Sequence, residues 1–244
     1  MINMKKVLIT GGTGALGKKL LEVLSSKNQY DIYFTFNNSK KEAKVLSEKY
    51  HAHSIHVAGS DISRVFKNFD IVINAAGLGA FSGLTHSVND ELMRKAFEVN
   101  LMLPFKLSKL VLPYMMKKNW GRIINISSIL GLIGGEYTVS YNTTKFALNG
   151  LTKTMAKEYA KYNITCNSIC PAAIGGEGMA IDAVKFYSKN VKEYKEGIKA
   201  YEQSAPIGRM ANLSEIVNVI LFFMSEESSY INGVCLPVDG GKLA

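Results

Sequence analysis

Short apolar, β-branched runs alternate with longer amphipathic stretches along the whole chain. Residues 5–10, 31–36, 54–57, 71–74, 123–126, 165–169 and 234–238 read as seven strands. Most are continuously apolar rather than alternating, as expected where helices cover both faces of a parallel sheet. Residues 14–27, 40–50, 90–117, 141–162 and 214–225 carry apolar side chains at helical spacing. Strand-helix alternation of this kind predicts an α/β fold, a doubly wound parallel sheet with helices on both faces. No repeat or linker-like stretch interrupts it, so residues 1–244 read as one domain. Residues 59–70 leave room for only a turn or two of helix. Residues 175–206 form a long, Lys-, Glu- and Tyr-rich insertion after a late strand. In an open α/β sheet such an insertion lies at the carboxyl edge, where ligands bind, and it reads as a substrate lid.

Composition narrows the class. An apolar content of 47% in 244 residues is enough to bury a full core, and Pro is scarce, which argues against disorder. Cys166, Cys170 and Cys235 are odd in number and lack disulfide-like spacing, so they read as thiols of a reducing compartment. The basic start, Met1 to Lys6, precedes an apolar run of only Val7-Leu8-Ile9, too short for a signal h-region. The apolar run from 216 to 224 is below spanning length. A cytoplasmic protein with no membrane partner is expected. The net charge of +9 favours acidic ligands or partners. The basic residues are scattered, however, and read chiefly as solvated faces, with no nucleic-acid partner expected.

The first strand runs into Gly11-Gly12-Thr13-Gly14-Ala15-Leu16-Gly17 and then a helix. Glycines there permit a tight turn and let backbone N–H groups approach a pyrophosphate at the positive helix end. A strand before and a helix after supply the context a Rossmann-type dinucleotide site requires. NAD sites place Asp or Glu at the end of the second strand to hold the ribose 2′-hydroxyl. Here that strand ends in Asn37-Asn38-Ser39-Lys40-Lys41, without a carboxylate. Asn37, Ser39 and Lys40 are therefore candidates for contact with a 2′-phosphate, and NADP(H) is favoured over NAD(H).

Tyr141 and Lys145 stand four apart in a helical stretch, so phenol and ammonium address one site. A nearby ammonium favours the phenolate and is expected to lower the tyrosine's pKa. That suits Tyr141 to proton exchange with a carbonyl oxygen or alcohol. Around this pair, Gly121-Arg122-Ile123-Ile124-Asn125-Ile126-Ser127-Ser128 is a strand ending in hydroxyl residues. Asn74-Ala75-Ala76-Gly77 ends the fourth strand, Asn100 interrupts a helical stretch, and Cys170-Pro171 follows the sixth strand.

These motifs, in this order, resemble the compact branch of the short-chain dehydrogenase/reductase family over essentially the whole chain. Within it, Pro206-Ile207-Gly208-Arg209-Met210 and the last twenty residues are similar to 3-oxoacyl-acyl-carrier-protein reductases. The resemblance implies Tyr141 as general acid/base, Lys145 on the nicotinamide ribose, Ser128 on the substrate oxygen and Asn100 on a water leading to Lys145. It also implies cofactor contacts from Gly11, Thr13, Gly14, Leu16, Gly17, Asp61, Asn74, Ala75, Gly77, Pro171 and Ile174. Ser127 is one residue too far from Tyr141 to share Ser128's part. The implied reaction is reduction of a 3-oxoacyl thioester, on coenzyme A or an acidic carrier protein, by a homotetramer or homodimer.

Several positions depart from the family pattern. Ala15 replaces a glycine of the turn, which a right-handed helical backbone would tolerate. Ala172 follows Pro171 where Gly is usual, and Gly176 stands where Thr is expected. Asn119 and Tyr162 occupy positions where carrier-protein reductases place basic residues, with Lys118 and Lys161 beside them. The Gly14-Ala15 turn and the unusual lid keep open a sugar, polyol or secondary-metabolite dehydrogenase; a non-catalytic dinucleotide sensor is the reading from another class. His51, His53 and His56 resemble a metal cluster, but strand alternation sends His53 and His56 to opposite faces, so no metal site is expected.

Overall fold

The computed structural model of the protein describes residues 4–63, 65, 67–79 and 83–244. One seven-stranded parallel sheet has the order β3-β2-β1-β4-β5-β6-β7. The strands are β1 (Lys5–Ile9), β2 (Tyr30–Phe36), β3 (His53–His56), β4 (Ile71–Asn74), β5 (Gly121–Ile126), β6 (Ile164–Pro171) and β7 (Cys235–Val238). Chain order reverses between β1 and β4, which opens a crevice at their carboxyl ends. That crevice is stapled: Thr10 N–H donates to the Ile73 carbonyl (2.9 Å), and Ala76 N–H donates to Thr10 Oγ1 (2.8 Å).

Alternation along each strand sorts the core into two layers. Val7, Ile9, Ile71, Ile73 and Ile124 pack with Leu20, Leu24, Ile216 and Phe223. These come from α1 (Ala15–Ser26) and α8 (Leu213–Met224), with α2 (Lys40–Tyr50) alongside. Leu8, Val72 and Ile123 face the other way, onto Leu107, Val111, Met115 and Met155. Those belong to α4 (Leu103–Lys118) and α5 (Val139–Tyr159). The predicted near-continuous apolar strands thus follow from burial on both faces.

Three expectations change. The single helix expected over 90–117 is α3 (Asp90–Phe97) and α4, joined by a π-helical turn at Glu98–Met102. A π turn inserts one residue into the helical ladder, and it falls where Asn100 breaks the apolar pattern. The insertion after β6 is itself helical, α6 (Met179–Tyr187) and α7 (Val191–Gln203). They pack closely where Gly197 faces Val184, and a Cβ at Gly197 would lie 2.8 Å from Val184 Cγ1. The described residues between 59 and 70 form turns without helix; residues 64 and 66, like 1–3, lie outside the described residues. Among the described residues, no helix is long and apolar enough to cross a membrane.

A buried polar chain crosses the α4/α5 side of the sheet. Asn74 Nδ2 donates to Asn125 Oδ1 (2.7 Å), and Asn125 Nδ2 donates to Thr152 Oγ1 (2.8 Å). Thr152 also meets Ser168 Oγ at 2.7 Å. The chain ties β4, β5 and β6 to α5. Replacing Asn125 by Ala strands a donor on Asn74 and removes a partner of Thr152. The expected loss is about 2–3 kcal/mol of stability, read as a lowered urea midpoint at unchanged slope.

Candidate active site

The glycine turn after β1 is shaped by close approach. Gly11 has φ +70°, and a Cβ there would lie 2.9 Å from Ala76 Cα. At Gly12 a Cβ would lie 2.3 Å from Phe34 Cδ2, and at Gly17 2.3 Å from the Gly11 carbonyl oxygen. Gly14 caps α1 with extended backbone and no side-chain hydrogen bond, and the first turn holds no acid. Ala15 opens α1 in the right-handed conformation, so it substitutes for glycine without strain. Thr13 and Leu16 are half-buried in the same turn. Uncapped N–H groups at a positive helix end, beside a backbone surface that side chains would block, fit a pyrophosphate.

The flanks of the crevice extend this fit. Asn37, Ser39 and Lys40 are exposed at the end of β2. The next acid along, Glu42, is paired with Lys18 at 3.2 Å. Asp61 borders a concavity of about 570 Å³ with Ser60, Glu98 and Lys106. Asn74 is buried at the end of β4, and its Oδ1 has no hydrogen-bond partner among the described residues. Ala75 and Gly77 continue from it, half-buried. Pro171 ends β6, and Ile174 bridges to Ala211. Gly176 has φ +86°, which accounts for glycine where threonine is expected.

Beside this crevice stand Ser128, Tyr141 and Lys145. Asn142 Nδ2 donates to the carbonyls of Leu130 and Ile133, both at 2.7 Å, and so seats the start of α5 against the segment after β5. Gly131 lets that segment touch the helix, since a Cβ there would lie 2.9 Å from the Lys145 carbonyl. Ser128 Oγ accepts from Leu130 N–H (3.1 Å) and stands close enough to the Tyr141 phenol to favour loss of its proton. Ser127 turns instead toward the Lys145 carbonyl, 3.4 Å away. Lys145 is 3% exposed; its Nζ donates to the Ile126 carbonyl (2.7 Å) and lies 5.3 Å from the Tyr141 ring centre.

One expectation is corrected here. Burial pushes the Tyr141 pKa up to about 12, against the opposing pull of the Ser128 hydroxyl. The expected lowering by Lys145 does not occur, because burial also pushes the ammonium's own pKa down to about 8 and its proton is directed at Ile126. Asn100 is buried in the π turn with its amide committed: Oδ1 accepts from Leu78 N–H (2.7 Å), and Nδ2 donates to the Leu78 carbonyl and to Thr144 Oγ1, each at 3.0 Å. Both amide protons are used, so a water on this side chain could only donate to it.

The site also uses residues that sequence reasoning passed over. Thr10, Thr35 and Asn125 hold the turn and the strand ends, Thr35 Oγ1 accepting from Gly11 N–H at 3.2 Å. Glu177 and Met179 approach from the insertion after β6, Glu177 through an ion pair with Lys18. Short polar residues at strand ends were the available signal for the first group. Of the histidines, His53 lies 3.3 Å from Asp31 and stacks on Tyr33, while His56 lies against Phe36.

The Lys145 shift has a testable consequence. Its folded pKa is depressed, so charge burial opposes folding in full below about pH 8 and is relieved as pH rises toward the unfolded value near 10.5. Lys145→Met is therefore expected to be more stable than the parent at pH 7 by roughly 1–3 kcal/mol, with the gap closing between pH 8 and 10.5. Urea denaturation across that range checks both sign and window.

A family model described as enoyl-(acyl carrier protein) reductase matches residues 50–242. The chain is 33% identical to the 3-oxoacyl-(acyl-carrier-protein) reductase FabG of Aquifex aeolicus (strain VF5), covering 97% of this chain and 96% of that one. It is 34% identical to the 7alpha-hydroxysteroid dehydrogenase of Paraclostridium sordellii, over 83% of this chain and 74% of that one. A solved structure of ElxO with NADP bound superposes with a TM-score of 0.83 at 28% identity, covering 98% of this chain and 99% of the other. Sequence and fold agree: the chain belongs to the short-chain dehydrogenase/reductase family.

Proposed function

We propose that this protein is an NADP(H)-dependent oxidoreductase that interconverts a carbonyl and a secondary alcohol, with 3-oxoacyl thioesters as its substrate class. The observation that carries the reading is a phenol beside a serine hydroxyl, with a buried ammonium 5.3 Å from its ring, next to a glycine cradle at the β1/β4 crevice. A nicotinamide held there would supply or accept the hydride. Ser128 Oγ and Tyr141 Oη hold the carbonyl oxygen between them. Tyr141 gives its proton to that oxygen as charge develops there; with a pKa of about 12 the phenol is neutral at pH 7 and ready to donate. Lys145, with a pKa of about 8, stands beside it as a charged donor to the ribose and as the group that resupplies the proton. In the reverse direction the same groups accept a proton from an alcohol.

Gly11, Thr13, Gly14, Leu16 and Gly17 are proposed to hold the pyrophosphate, and Asn37, Ser39 and Lys40 the 2′-phosphate. Asp61, Asn74, Ala75, Gly77, Pro171 and Ile174 would line the rest of the dinucleotide. Absence of a carboxylate at the end of β2, and the pairing of Glu42 with Lys18, support NADP(H). Similarity to a FabG reductase supports the thioester substrate. Exposed Lys161 would meet an acidic carrier protein, whereas Lys118 is committed to Asp70. We read residues 1–244 as one catalytic domain, with residues 175–206 its substrate lid; a single sheet flanked by two apolar layers supports this. Exposed Phe105 on α4, Phe146 on α5 and Phe222 on α8 support assembly into a homodimer or homotetramer.

Turnover of acetoacetyl-CoA with NADPH tests the assignment. Tyr141→Phe is expected to lose about 10²–10⁴-fold in rate while still binding NADPH. A native protein that binds NADPH yet oxidises it with no carbonyl in a thioester and diketone panel would favour the non-catalytic sensor. NADH binding as tightly as NADPH would contradict the cofactor preference.

A further inference from the structure

Resting on the dinucleotide reading, we infer that residues 176–179 form a strap across the cofactor crevice and that Met179 is a displaceable plug which lowers the protein's affinity for NADPH. The strap leaves β6 through Gly176 (φ +86°) and Gly178 (φ +118°), two backbone conformations open to glycine and strained for other residues. It is attached on both sides of the crevice. On the α1 side, Glu177 pairs with Lys18 at 3.5 Å, and a Cβ on Gly178 would come within 4.0 Å of Ala15 Cβ, over the first turn of the helix. On the β4 side, Met179 lies on the segment that follows Asn74. A Cβ on Gly77 would be 3.0 Å from Met179 Cε, and one on Gly79 would be 2.9 Å from its Sδ.

The place Met179 occupies is chemically distinctive. The same hypothetical Cβ on Gly77 would lie 3.6 Å from Asn100 Oδ1 and 3.8 Å from Lys145 Nζ. The thioether methyl therefore sits on the bare glycine backbone beside the ammonium proposed to take the nicotinamide ribose. Glycine at 77 leaves room for a ligand to approach, and here a side chain of the lid takes that room. The Glu177–Lys18 pair is exposed and contributes little. Met179 is itself exposed, at 43%, but its Cε and Sδ lie against Gly77 and Gly79. Its flexible, unbranched chain suits a contact that forms and breaks. A dinucleotide laid from α1 to Lys145 must move it, and binding is weakened by the fraction of molecules in which the plug is seated.

NADPH fluorescence titration of the native protein, Met179→Ala and Met179→Leu, each checked for folding by circular dichroism, tests this. Met179→Ala is expected to bind NADPH about three- to tenfold more tightly, while Met179→Leu, which refills the space, stays close to the native value. Unchanged or weaker binding by Met179→Ala would overturn the plug, weaker binding meaning that Met179 holds the cofactor rather than competing with it. If none of the three folded proteins bound NADPH, the dinucleotide reading would fall, and the plug with it.

Discussion

The site depends on keeping an ammonium dry. Lys145 is almost wholly buried, its proton directed at a single backbone carbonyl of β5, and burial brings its pKa down to about 8. Isolated charges are rarely left in such a place, because removal from water disfavours the ionised form. The fold holds it there by force of packing elsewhere. The apolar layer shared with α4 presses α5 onto the sheet, and Asn142, Asn125 and Thr152 fix that helix in register with β4 and β5. What the chain gains is a cation poised to shed its proton near neutral pH, beside a phenol that holds on to its own.

That pairing changes the usual picture of how the two groups cooperate. A charged lysine alone would draw the phenol's pKa down. In this structure desolvation raises the one and lowers the other, so both lean toward neutrality. In the proposed reaction Tyr141 would then donate its proton as negative charge develops on a carbonyl oxygen, with Ser128 beside it.

Much of this was legible in the chain. Runs such as Ile71-Val72-Ile73 and Ile123-Ile124 read as strands because burial on both faces removes the need for polar alternation. Gly11, Gly14 and Gly17, and the four-residue step from Tyr141 to Lys145, are local patterns, and local geometry keeps them together. Other features arise only from the tertiary fold. The rise in the Tyr141 pKa comes from burial, and in smaller part from Cys170 on β6, which no spacing reveals. The π turn at Asn100 hides within an apparently continuous helical period. Helices α6 and α7 were masked by charge and by Gly197, although Asn190, whose side chain accepts from Glu193 N–H at 3.0 Å, is a readable cap. Met179 gave no signal at all, since its importance lies in two glycines a hundred residues earlier in the chain.

Tyr141, Ser128 and Lys145 are proposed to converge on a dinucleotide laid in the β1/β4 crevice. A crystal structure of the protein with NADP⁺ would decide this. The pyrophosphate is expected on the first turn of α1 and the nicotinamide ribose within hydrogen-bonding reach of Tyr141 and Lys145. A dinucleotide bound outside that crevice, or one lying in it with both side chains beyond its reach, would contradict the proposal.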